Sequence, residues 1–63
     1  MVAYEFYSFD EDTPYDVHFL GVLPERREDW SRVTSRSILE MGKGFIGTQS
    51  DVSNLYFIQI EIG

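Results

Sequence analysis

Apolar residues alternate with other residues in three stretches of this chain and recur at helical spacing in a fourth. Residues 2–9 place Val2, Tyr4 and Phe6 on one side and Ala3, Glu5, Tyr7 and Phe9 on the other. An aromatic-rich run with period two predicts a strand. Asp10 to Pro14 interrupts it with turn-forming residues. Residues 15–23 predict a second strand, with Tyr15, Val17, Phe19, Gly21 and Leu23 on one side and Asp16, His18, Leu20 and Val22 on the other. So short a connection favours an antiparallel hairpin. Pro24 closes that strand, and a charged link follows, Glu25 to Asp29, with room for a single helical turn. Trp30 and Val33 stand one turn apart and are expected to pin the link to the core. Near the C-terminus, residues 55–62 predict a third strand. One of its sides is wholly apolar and rich in isoleucine (Tyr56, Ile58, Ile60, Ile62), and the other holds Leu55, Phe57, Gln59 and Glu61.

Between the second and third strands, Ile38, Leu39, Met41, Phe45 and Ile46 recur at intervals of three, four and seven residues. That spacing predicts a helix over residues 35–46. Thr34 suits its N-cap, because a side-chain oxygen there accepts from a first-turn amide. No Glu or Gln follows at the third helical position, so the capping box reads as incomplete. Gly47 stands where a left-handed C-terminal cap is expected. Gly42 and Gly44 each weaken a helix by roughly 1 kcal/mol relative to Ala. Gly42 lies on the apolar side, which predicts close approach to the sheet or else a fraying last turn. A polar loop, residues 48–54, joins the helix to the last strand.

The element order β-β-α-β predicts an α+β fold in one domain over residues 1–63: a three-stranded sheet with a crossover helix on one face. Right-handed crossover places the third strand beside the first, giving the order 2-1-3. Tyr4, Phe6, Val17, Phe19, Ile58 and Ile60 are expected to face the helix. The other face would then carry Tyr7, Phe9, Leu20, Val22, Leu55 and Phe57, with Glu5, Asp16, His18, Gln59 and Glu61 among or around them. That much contiguous apolar surface signals an interface. The expected contact residues are therefore Tyr7, Phe9, His18, Leu20, Val22, Leu55 and Phe57. A homodimer through this face or an edge is the simplest arrangement, since one patch serves twice about a two-fold axis. Another protein is the alternative partner.

Charge sharpens the picture. The net charge is −6, yet the five basic residues (Arg26, Arg27, Arg32, Arg36, Lys43) all fall between positions 26 and 43 with three acids, so that segment is +2 and the remainder −8. An acidic chain is repelled by nucleic acid and anionic lipid at long range, so neither is an expected partner. Ten aromatics argue against disorder. The chain has no cysteine, hence no disulfide or thiolate metal site. No run approaches the ~18 apolar residues of a membrane span. A cytoplasmic protein is expected.

Candidate chemistry is sparse. His18, the single histidine, has Asp16 two residues away, and Glu5 or Glu61 as candidate cross-strand neighbours. A metal-binding or enzymatic subunit built on His18 and Asp16 is one alternative, though an isolated strand histidine is the commoner reading. Asp10, Glu11, Asp12 and Asp16 crowd the hairpin turn, but Tyr15 and Gly21 occupy the positions where a calcium loop needs Gly and Glu. Arg26, Arg27, Arg32 and Arg36, near the helix start, are candidate anion ligands, against local pairing with Glu25, Glu28 and Asp29. Gly42-Lys-Gly44 lacks the spacing and setting of a phosphate loop. No catalytic, cofactor-binding or metal-binding set is assigned. The expected function is a non-enzymatic interaction module or regulatory subunit. Its rival is an acidic mimic of nucleic acid, which requires Glu5, Asp10, Glu11, Asp12, Asp16 and Glu61 to lie along one surface.

Overall fold

In the computed structural model, which describes residues 1–10, 12–13, 15–47 and 54–63, the chain builds three strands and one long helix. Strand β1 (Val2–Phe9), strand β2 (Val17–Pro24), helix α1 (Ser35–Ile46) and strand β3 (Leu55–Glu61) follow in that order. The sheet order is β2-β1-β3, with β1 antiparallel to both neighbours. This is the α+β arrangement expected from the order of the elements. The 48–53 loop and, in the hairpin, Glu11 and Pro14 lie outside the described residues.

Two differences from strict alternation decide which side chains meet the helix. In β2, Phe6 pairs with Gly21 but Tyr7 pairs with Phe19, so Leu20 is an extra residue at a bulge. A bulge reverses the phase of the strand. Gly21 and Leu23 therefore lie on the helix side, opposite Phe6 and Tyr4, whereas Val17 and Phe19 lie on the other side, opposite Phe9 and Tyr7. One side of β3 is wholly apolar and the other carries Leu55 and Phe57 ahead of Gln59 and Glu61, so large apolar residues stand on both sides and a shift by one residue swaps its faces. The register pairs Leu55 with Ser8, Phe57 with Phe6 and Gln59 with Tyr4, which turns these residues toward the helix and leaves Tyr56, Ile58 and Ile60 on the far face. The expected positions of Leu55 and Phe57 are thus corrected, as are those of Val17, Phe19, Ile58 and Ile60.

Tyr4, Phe6, Ile38 and Leu55 form the buried cluster between sheet and helix, with Leu20, Leu23, Val33, Met41 and Phe57 packed around it. Phe57 sets its ring edge-on to Tyr4 at 5.6 Å. The close approach expected at Gly42 is present: a Cβ there would lie 2.5 Å from Phe6 Cδ1 and 3.0 Å from Leu55 Cδ2. Phe6 of β1 and Leu55 of β3 are accommodated because the helix has no side chain at that point.

The helix is capped more fully than its sequence suggests. Thr34 Oγ1 accepts from the Ser37 amide at 3.1 Å, and Ser37 Oγ accepts from the Thr34 amide at 2.9 Å. A serine hydroxyl closes the capping box that a Glu or Gln usually closes. Gly47 ends the helix at φ 79°, ψ 173°, its amide donating to the Lys43 carbonyl. The positive φ favours glycine, though ψ is extended rather than helical. Before the helix, one 3₁₀ turn covers Trp30–Arg32. Val33 packs on the core, but Trp30 is 55% exposed and pins nothing.

Candidate functional site

The face of the sheet away from the helix is a small lattice whose rows are set by strand register. From the hairpin end, Phe9 stands beside Val17, then Tyr7 lies between Phe19 and Tyr56. Glu5 lies between Val22 and Ile58, and Ala3 between Pro24 and Ile60. Glu5 is the one charged member of these rows. The helix contacts β2 and β3 from the other side, and of these rows Ala3 alone is buried. Phe19 is 58% exposed, Ile58 46%, Val22 43% and Val17 42%, which is far more apolar exposure than an isolated surface residue explains. A compact monomer of 7.4 kDa exposes about 4,200 Å² by the usual scaling. This chain exposes 4602 Å².

The aromatic rows are ordered. Tyr7 stacks on Tyr56, its direct cross-strand neighbour, with centroids 5.1 Å apart and planes 13° apart. Phe19 meets Tyr7 edge-on at 5.5 Å, and Phe9 tilts against Tyr56 at 6.2 Å. Such pairs fix the rings in place without filling the space above them. Desolvation raises the Tyr7 phenol above its ordinary pKa, and the neighbouring Glu5 carboxylate raises it further. Among the described residues, Glu5 is in no ion pair.

A second cluster of polar residues lies under the helix and is fully partnered. Glu25 carries a side chain that is 2% exposed. Its carboxylate accepts from Arg27 Nε at 2.8 Å, Arg27 Nη2 at 2.6 Å, the Arg27 amide at 2.9 Å and the Tyr4 hydroxyl at 2.8 Å. The Arg27 hydrogen bonds outweigh desolvation and hold the carboxyl down at about 2. Arg27 Nη1 also donates to Ser37 Oγ at 2.8 Å, tying the capping box to the sheet. Of the four arginines considered for an anion, Arg27 is thus committed to Glu25, and Arg32 Nε lies 3.7 Å from Asp29. Arg26 and Arg36 are exposed, and among the described residues neither is in an ion pair.

Other candidate groups do not converge. His18 Nε2 lies 4.0 Å from Asp16, with both side chains exposed. His18 pairs with Ser8 in the register, on the helix side, whereas Glu5 lies on the open face, and Glu61 sits at the far end, where it binds the amino terminus at 2.6 Å. Among the described residues no three His, Cys, Asp or Glu side chains are placed to hold a metal ion. An open cleft of about 300 Å³ between helix and β2 is lined by Leu23, Met41, Gly44 and Phe45, none of them titratable. No described helix is long and apolar enough to cross a membrane.

Of the residues expected at an interface, Tyr7, Phe9 and Val22 stand on the open face. His18 stands on the helix side near the hairpin, and Leu20, Leu55 and Phe57 belong to the core or its rim. Val17, Phe19, Tyr56, Ile58 and Ile60 also stand on the open face. The β3 members are visible in the sequence as an isoleucine-rich alternation, but its phase is not. The fold and face together define a small sheet-and-helix domain whose second sheet face exposes Val17, Phe19, Val22 and Ile58. Comparison with protein-family models, with curated proteins and with solved structures finds no match for the chain.

Proposed function

We propose that this chain is a non-enzymatic interaction module, an acidic subunit or regulator, that docks another polypeptide chain on the open face of its sheet. The observation that carries the reading is the set of ordered apolar rows over three strands, with four members more than 40% exposed and no described element above them. Burying such a face against a partner removes apolar surface from water, the main driving force of association. A cytoplasmic setting fits the cysteine-free composition. The acidic-mimic reading gains no support from the geometry. Glu5 lies on the open face, Glu61 on an outer strand at one end, and Asp10, Asp12 and Asp16 at the other, so these carboxylates do not form one array.

Site-specific photocrosslinking tests the reading. A benzoyl-phenylalanine in place of Phe19 is expected to give a discrete adduct in cells, and the same probe in place of Arg36 is expected to give none. The adduct mass separates a second copy, a multiple of 7.4 kDa, from another protein. Equal labelling at both positions, or none at Phe19, would sink the reading.

A further inference from the structure

Glu5 distinguishes between the occupants the open face could take. It sits at the middle of the lattice, with Val22 and Ile58 beside it across the strands and Ala3 and Tyr7 before and after it along that face of β1. Its neighbours on every side but one are apolar, and the exception is the Tyr7 phenol. Among the described residues no cation pairs with it. The five basic residues lie between positions 26 and 43, in the link and helix that follow β2, and none belongs to the rows of the open face. Any chain laid over the face removes the carboxylate from water, and an unpaired buried carboxylate opposes binding.

A second copy docked face to face supplies no remedy. About a two-fold axis the same surface meets itself, so each Glu5 meets a face whose one charged group is another Glu5, with the Tyr7 and Tyr56 phenols as its other polar groups and no cation. Two copies also bring together net charges of −6 each. An edge-to-edge dimer through β3 leaves the face, and Glu5, uncovered. A basic partner does supply the remedy. An arginine or lysine placed over Glu5 pairs with the carboxylate and lies beside the row of Phe19, Tyr7 and Tyr56.

We infer that the open face is a docking surface for a basic amphipathic polypeptide segment. It seats one Arg or Lys on Glu5 against the Phe19-Tyr7-Tyr56 row, and apolar side chains on the flanking positions. The inference rests on the docking role proposed above and adds the chemistry of the partner to it. Glu5 supplies specificity, because it rejects an uncharged or acidic segment that the apolar rows alone would accept.

The test uses the intact chain and two synthetic probes: a short peptide alternating leucine and arginine, and the same peptide with neutral citrulline at each arginine. Binding is followed by amide chemical shifts. The arginine peptide is expected to perturb Glu5, Tyr7, Phe19, Tyr56 and Ile58, and to bind at least about tenfold more tightly than the citrulline peptide. In Glu5→Gln the preference for arginine is expected to fall by about the same factor. That substitution removes a lone charge from a surface position, so a thermal melt should show the fold retained. Equal binding of the two peptides at these residues would overturn the basic-partner inference while leaving the docking role in place. Perturbation of other surfaces instead would overturn it as well. So would a dimer, measured by light scattering across a concentration series, whose open-face amides are already protected from exchange without peptide.

Discussion

Among the described residues one carboxylate is buried, and its protonation is expected to weaken the fold in acid. Glu25 titrates at about 2 in the fold against 4.5 as an unperturbed side chain. Because the folded value is the lower, its contribution is complete above pH 4.5, declines as pH falls, and is gone below about 2. The gap corresponds to a contribution on the order of 3 kcal/mol. Urea midpoints measured between pH 6 and pH 2 are expected to fall accordingly, and Glu25→Gln is expected to flatten that dependence while lowering stability at neutral pH. A midpoint in the wild-type chain that does not move over this interval would exclude the role. Tyr4 behaves in the opposite sense. Burial, then Glu25, raises its phenol, so its contribution holds below pH 10 and is lost as pH rises further. In the sequence, Glu25 and Arg27 read only as parts of a charged link. Their partner Tyr4 is 21 residues from Glu25, and no local pattern announces a contact across that separation.

Among the elements, the two helical glycines separate intrinsic propensity from packing. A Cβ added at Gly44 would meet nothing within 4 Å, so Gly44→Ala is expected to stabilise the fold by about 0.5–1 kcal/mol. Gly42→Ala carries the same gain in propensity but drives a methyl into the wholly buried Phe6 ring. A net loss of about 1–3 kcal/mol is expected. Thermal melts of the two variants should therefore shift in opposite directions, and a common shift would count against the close packing described at Gly42. The ends of the elements are largely legible in the sequence: β1 and α1 span the residues that alternation and helical spacing predict. The bulge at Leu20 is marked only by its neighbour Gly21, and an isolated glycine in a strand signals a close approach, such as that of Phe45 here, as readily as a bulge. The capping box escapes the usual pattern because Ser37 stands where Glu or Gln is the common partner for Thr34, although its shorter hydroxyl still reaches the amide.

The whole molecule is a layer of helix on a layer of sheet, with extents of 37 × 24 × 16 Å, and only one side of the sheet is used for the core. The two faces should respond differently to the same substitution. Phe19→Ser, on the open face, is expected to change stability by no more than about 0.5 kcal/mol. Phe57→Ser, beside Tyr4 and Phe6, is expected to cost about 2–4 kcal/mol. Denaturant midpoints check both, and the reverse ranking would mean that β3 lies in the other register. The sequence by itself determined the number, type and order of the elements, because hydrophobic period and turn residues are local properties. It also determined, through chain direction and crossover handedness, that β1 lies at the centre of the sheet. Only the tertiary structure decided which side of β2 and β3 meets the helix. β3 carries large apolar residues on both sides and β2 changes phase at a bulge, so local pattern does not fix the choice, whereas Phe6 and Leu55 fill the gap at Gly42, a contact among residues far apart in the chain. The same choice placed Glu5 among apolar residues on the sheet face away from the helix.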